Sequence, residues 1–417
     1  MSIRILIALV LLGALGCKDR SGGAAGTESA VVLPEGTESS AASARDYRPI
    51  AEKVVVQSAG VKEGEIVLLV GSDEDLPLLE DIAVEVRKRG ASPLVTVGTN
   101  RLNRRMYDEV PAKYDSQAPE TMIKLAGIVD VVIGTESGEG RTLQGVAPER
   151  VAARGKAGAP VGEVMRKRGV RTVFLGNGLY PSAERAEQFG ISRDDLAEMM
   201  YSGVDADYAA IQAAGERVRE ALAAGKEIRI TNPNGTDLRV RIEGRPITVN
   251  DGRISPEDRT ATPAGRSVWL PAGDVILIPI PGTASGTIVS NQEFFRGERV
   301  TELRLDFQSG KVTSMSAKSG LEPLKAAYDA AGPGKDQLSV VNIGINPGVK
   351  VPEGNPIHVW SKAGTITLGI GNNTWASGDN QANFGISPSS PGSSLSIDGK
   401  VLIQDGKLLL PEKTASR

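Results

Sequence analysis

The sequence predicts an α/β N-terminal domain with a mostly parallel sheet, followed by a β-rich α+β C-terminal domain. Three observations carry this. Before about residue 225, short and fully apolar runs alternate with stretches of helical periodicity, the pattern of a parallel sheet covered on both faces. From Lys226 onward the apolar runs half-alternate, and Gly and Pro punctuate them densely. The chain has 417 residues and is 40% hydrophobic, which supports a sizeable core in two or three domains.

The N-terminal residues 1–17 carry Arg4, an apolar run over 5–15, and Ala14, Leu15 and Gly16 ahead of Cys17, the only cysteine. This reads as a bacterial lipoprotein signal with its lipobox, and it predicts lipidation at Cys17. The apolar run is shorter than the roughly 20 residues of a membrane span. A cleaved secretory signal without lipidation is the rival reading. With Cys17 acylated, the mature chain has no thiol for a disulfide, a thiolate nucleophile or a soft metal ligand. Residues 18–46 are rich in Ser, Gly, Ala, Thr and Glu and predict a flexible tether. Lys18 follows the cysteine in place of the aspartate that marks inner-membrane retention in some bacteria, so the reading favours the outer membrane, with the body in the periplasm or outside.

In the N-terminal domain, 47–225, strands are predicted at 66–70, 94–97, 128–133 and 172–175. Residues 76–89 have apolar residues at helical spacing and end at Gly90. Ser192 and Asp195 open a helix as a capping box, and 208–224 is a long helix ending at Gly225. In the C-terminal domain, 226–412, the turn Asn232-Pro233-Asn234-Gly235 joins strands at 227–231 and 238–242. Further strands are expected at 275–280, 287–290, 303–307, 365–370 and 401–403, with one helix at 321–331. Residues 413–417 are a tail.

Composition excludes some functions. The formal net charge is −3, and both signs are mixed along the chain, so no basic stripe marks a nucleic-acid footprint. Aromatic content of 4% gives no stacking platform for bases. The Gly-rich loop 134–141 lacks the Gly-Lys-Ser/Thr ending of a phosphate loop. Around Gly282 to Gly286 the serine is one place late for a nucleophile elbow. The acidic clusters at 73–75 and 194–195 sit at predicted helix starts, where the dipole favours them.

Several short motifs then line up. Residues 230–238 read ITNPNGTDL and are followed by EGRP at 243–246; LPAGDV lies at 270–275, GTIV at 286–289, GINP at 344–347 and AGTI at 363–366. IDGKV at 397–401 and DGK at 405–407 close the series. Together they resemble the thermophilic-type metallo-aminopeptidases, the family of aminopeptidase T and aminopeptidase S, across most of 47–411. The resemblance implies hydrolysis of N-terminal residues from peptides with two divalent metals, such as zinc or cobalt, and a homodimer. It also implies where the metal ligands belong. The first glutamate of the family falls at Asp274, and the second at Val340. The first histidine falls at Thr367; the second histidine and a nearby aspartate fall at Gly385 and Ser387. A tyrosine expected near 372–374 is absent.

One carboxylate cannot replace the hydration of two divalent ions. The losses therefore imply a catalytically inactive, membrane-anchored member with no metal cofactor, retaining a peptide- or partner-binding role, with Asn372, Asn373, Asp379 and Asn380 as cleft-binding candidates. Two alternatives stay open. An active metal-dependent aminopeptidase could use a rearranged site drawn from Asp274, Asp379, Glu293 and His358. A structural envelope lipoprotein would instead fill the cleft with residues such as Val340 and Phe384. His358, the only histidine, lies nine residues before Thr367, on a predicted strand, and is assigned a structural or surface role.

Overall fold

The computed structural model of the protein describes residues 45–410, except 139, 261, 262, 353, 354, 356 and 357. Residues 1–44 and 411–417 lie outside the described residues, so the signal, the lipidation position Cys17, nearly all of the tether and the tail do too.

Four strands, β1 (Ile66–Ser72), β2 (Ser92–Gly98), β3 (Val131–Thr135) and β4 (Arg171–Leu175), lie parallel in the order β2-β1-β3-β4. Their sequence pattern follows from burial on both faces. Val67, Leu69, Val131 and Ile133 enter the main core. Their neighbours Leu68, Val70 and Val132 point the other way, into a second cluster with Met122, Val161 and Met165. The predicted helix at 76–89 is α1 (Leu76–Lys88). The 21-residue α2 (Pro148–Arg168) escaped the sequence reading because Gly158 and Pro160 sit inside it, and such residues read as helix breakers. α3 (Arg193–Asp205) opens as expected, with Ser192 Oγ accepting from the Asp195 N–H at 3.0 Å. α4 (Tyr208–Ala223) follows.

Beyond it, β5 (Glu227–Asn232) and β6 (Thr236–Arg241) form the predicted hairpin, and β7 (Ile247–Asn250) follows. The chain then returns to the first sheet. β8 (Ser267–Leu270) pairs parallel to β4 as its fifth strand. It therefore joins the two halves through backbone pairing.

The remaining strands are β9 (Asp274–Leu277), β10 (Ser285–Phe295), β11 (Glu298–Gln308), β12 (Lys311–Ser316), β13 (Leu338–Gly344), β14 (Ile366–Gly371), β15 (Gly385–Ile386), β16 (Ser394–Ile397), β17 (Lys400–Gln404) and β18 (Lys407–Leu408). They build two antiparallel sheets. One has eight strands, β12-β11-β10-β6-β5-β16-β17-β18; the other has five, β15-β14-β13-β9-β7. α5 (Leu321–Ala330) packs on β11. The observed fold class is the predicted one, an α/β part with a parallel sheet and then a β-rich part.

The five-stranded antiparallel sheet positions the candidate site. Side chains alternate along its strands, and directly paired residues share a face. On one face Val275, Leu277, Val341, Ile343, Ile366, Leu368 and Ile370 are buried in the main core. The other face carries Asn250, Asp274, Asn342 and Thr367, all buried despite being polar.

Candidate functional site

Asp274 opens β9 and is 3% exposed. The turn before it explains the LPAGDV motif. Gly273 has φ of +112°, and a Cβ there would sit 2.6 Å from the Asn346 Cβ. Only glycine fits such a position. Asn346, from the GINP motif, donates through Nδ2 to the carbonyls of Ala272 and Gly203. Two of the family motifs are thus partners in holding one turn.

Three asparagine amides surround the Asp274 carboxylate. Oδ2 accepts from Asn177 Nδ2 at 2.9 Å and from Asn250 Nδ2 at 3.1 Å; Oδ1 accepts from Asn342 Nδ2 at 3.3 Å. Each of these amides also donates to a backbone carbonyl, those of Pro271, Trp269 and Trp360 respectively. Burial pushes the Asp274 carboxyl up to about 6, and the three amide bonds hold the rise down. No positive charge contributes to that balance. Neutral donors stand where a metal site would place cations.

The other positions to which the resemblance assigned ligands lie as follows. Val340 is fully buried and packs with Ile278 and Ala376, flanked by Ile276 and Trp375. Opposite it, a Cβ on Gly369 would lie 2.8 Å from the Val340 Cβ, so the valine fills the space above its partner strand. Thr367 is fully buried and pairs with Asn342 across the strands. Its Oγ1 lies 3.0 Å from His358 Nε2.

The sequence assigned His358 to a strand and away from the ligand positions. It is in no strand, and its half-buried side chain reaches back to Thr367. Burial, and then the nearby Arg185 charge, push its pKa down to about 3, so it is neutral. Its Nδ1 has no hydrogen-bond partner among the described residues.

Glu293 on β10 stands near the same edge. Its Oε1 accepts from Ser290 Oγ at 2.6 Å and from the Ser389 N–H at 3.1 Å, and Ser389 bridges Thr367. Burial pushes its carboxyl up to about 7. Gly385 is exposed at the start of β15, and a Cβ there would meet only ordinary contacts, beginning at 3.8 Å. Ser387 is half-buried.

The asparagine-rich candidates brace their own loop. Asn373 is fully buried, donates to the Ser339 carbonyl and accepts from the Asn380 N–H. Asn380 donates to the carbonyls of Gly334 and Gly371. Asn372 donates to the Ala382 carbonyl and accepts from Thr374. Asp379 alone of the four is exposed. Phe384 packs edge-on against Tyr328 at 5.3 Å, inside the main core.

The donor set does not fit a pair of divalent ions. Asp274 has most of its lone pairs occupied by amide N–H groups, and a hydrocarbon cluster surrounds Val340. Among the described residues, no group of three or more His, Cys, Asp and Glu is close enough to hold a metal ion. Asp274, Glu293, Asp379 and His358 are therefore not gathered into one such group. Sequence reasoning missed Asn177, Asn250 and Asn342. Asn342 carried a signal, since with Ser339 it is one of two polar residues in the apolar run of a fully buried strand. Asn177 lies in a turn at φ of +44° and gave none.

The fold and the positions of these residues define a metallopeptidase-type scaffold. The thermophilic metalloprotease (M29) family matches residues 44–334, and the chain belongs to that family, one of metallo-aminopeptidase hydrolases. Asp274 lies inside the matched stretch; Val340, Thr367, Gly385 and Ser387 lie beyond it. Wild-type AmpT from Thermus thermophilus has a similar structure, with a TM-score of 0.65 and 19% identity over 87% of this chain and 98% of that one. A 2,5-dihydroxypyridine dioxygenase from Pseudomonas putida KT2440 is similar over 88% of this chain and 97% of its own, with a TM-score of 0.56 and 14% identity. At these identities the likeness establishes the fold alone, and one fold accommodates unrelated chemistries. No curated protein matches the chain.

Proposed function

We propose that the protein is a membrane-anchored, catalytically inactive member of the thermophilic metalloprotease family that retains a peptide- or partner-binding role. The observation that carries this reading is the asparagine cage around Asp274. Water activation by a metal pair needs carboxylates with lone pairs facing the ions and imidazoles completing the cage. Here the one remaining carboxylate faces three amide donors. The neighbouring position, Val340, lies in an apolar cluster. The Thr367 hydroxyl meets a neutral imidazole instead of supplying one.

The anchor rests on Cys17 and the residues before it. No helix among the described residues is long and apolar enough to cross a membrane, so attachment in this reading runs through the acylated cysteine to the outer membrane. Pairing of two copies is part of the same proposal, by likeness to the family. Radiolabelled fatty acid should enter the wild-type chain and fail to enter Cys17→Ala.

Catalysis is tested with the body from residue 45 onward, incubated with zinc, cobalt or manganese and a panel of peptides. The expected result is no release of N-terminal residues above the metal-only blank. Release that disappears in Asp274→Ala would sink the reading and restore a working, rearranged aminopeptidase.

A further inference from the structure

The parallel sheet ends at β2, which pairs with β1 alone. The Ser92 N–H donates to the Glu65 carbonyl at 2.8 Å, so Ser92, Leu94 and Thr96 bond toward β1. Alternation turns the backbone of Pro93, Val95 and Val97 to the open edge. Among the described residues, no backbone hydrogen bond reaches Val95 or Val97 from beyond β1. The side chains are bare on both faces as well. Leu94 pairs with Leu68, on the face of the second cluster, and Val95 pairs with Leu69, on the main-core face. Leu94 is 41% exposed and Val95 39%. A helix docked on one face would shade one of them. A further strand laid along β2 shades both, because its own side chains alternate, and it supplies partners to the open edge.

Pro93 limits the length of such a strand. It has no N–H, so two-way pairing is confined to Val95 and Val97. The same residue disfavours a second copy of this chain here. An isologous antiparallel pair centred on Val95 sets Pro93 against Val97 and leaves two carbonyls without donors.

The chain itself carries a fitting segment. Between Cys17 and Tyr47 the only large aliphatic residues are Val31, Val32 and Leu33, and Pro34 ends the run. The described chain begins at Arg45, whose guanidinium donates to Glu198 of α3 at 3.0 Å. The short helix Arg48–Glu52 then packs on α1, and α1 packs on β2. The path from Arg45 to β2 therefore crosses two packed layers, on the order of 20 Å. The stretch 34–45 reaches up to roughly 40 Å when extended. A segment tethered this close acts at an effective concentration on the order of millimolar, an advantage a free peptide lacks.

We propose that Val31-Val32-Leu33 docks on the open edge of β2 as a short added strand, its side chains alternating over Leu94 and Val95. The added strand exchanges main-chain hydrogen bonds with Val95 and Val97 and gains apolar contact on both faces. Where Cys17 is acylated, docking takes roughly half of residues 18–46 out of the free span between membrane and body. The docking itself rests on neither the lipid anchor nor the peptide-binding reading.

The test compares three chains by amide hydrogen exchange at Val95 and Val97: residues 18–417, the same chain with Val32→Asp, and the chain from residue 45. Both amides should exchange at least fivefold more slowly in 18–417 than in the chain from residue 45, at a rate independent of protein concentration. Val32→Asp should return them to the faster rate, with the folded state checked by circular dichroism. This substitution alters no described residue, so it decides the question even where the shortened chain fails to fold. Equal exchange in 18–417 and Val32→Asp would overturn the proposal. Protection that grows with protein concentration and persists in the chain from residue 45 would overturn it too, and would assign the edge to a second copy.

Discussion

The two faces of the five-stranded antiparallel sheet share strands, turns and register, yet they differ in every other respect. One face is hydrocarbon throughout and faces the main core. The other buries Asn250, Asp274, Asn342 and Thr367. The apolar face is defined by volume, which many sequences satisfy, so it can persist while the chemistry opposite it changes. The polar face is defined by hydrogen-bond partners, each of which must be matched. Replacing a ligand there requires new partners in its place. On this face Asp274 meets three asparagine amides, and the Thr367 hydroxyl meets the His358 imidazole.

The contrast sets a ranking of effects. On the apolar face, Ile343→Ala removes a fully buried side chain from the core and should destabilise by about 2–5 kcal/mol in urea unfolding. A loss under 1 kcal/mol would mean that this face does not hold the sheet. On the polar face, Asn342→Leu leaves the Trp360 carbonyl and one Asp274 oxygen without their amide donor. That should cost roughly 1–3 kcal/mol, and a neutral result would show the cage to be dispensable.

Titration separates the groups on and beside this face by sign. Glu293 is raised from 4.5 to about 7, so between those values the folded chain keeps a proton that the unfolded chain has released. Stability from this group therefore falls as pH rises through that window. Glu293→Gln should raise the melting temperature at pH 8 relative to wild type and have little effect at pH 4. Asp274, raised from 3.8 to about 6, acts in the same direction over its own window. His358 is lowered from 6.5 to about 3 and acts oppositely, with its stability present above pH 6.5 and lost as pH falls toward 3. A melting profile for Glu293→Gln parallel to wild type between pH 4 and 8 would contradict the assignment. The smallest effect belongs to Gly385→His. The added side chain meets no close neighbour at its Cβ, so stability should stay within about 0.5 kcal/mol of wild type.

The same division decided what could be read in the sequence. The parallel strands and the hairpin of β5 and β6 were legible because apolar runs and turn residues report backbone requirements directly. β13 is not among the expected strands, because Ser339 and Asn342 break its apolar run; Asn342 is engaged on the site face, and Ser339 donates to the Gly369 carbonyl. α2 was lost to Gly158 and Pro160. The return of β8 to the first sheet is a tertiary pairing that no local pattern announces. At the site, the sequence singled out Asp274 and Val340 but gave no way to see which donors surround a carboxylate. The contact between His358 and Thr367 depends on a loop fold that sequence spacing does not reveal.

The central claim is that the polar face holds hydrogen-bond donors where a metal pair would sit, and one measurement addresses it directly. The body from residue 45 onward is equilibrated with zinc, cobalt or manganese, desalted, and analysed for metal per chain. The account predicts no retained transition metal. About two tightly held ions per chain would contradict it, and would return the protein to the working metallo-aminopeptidases.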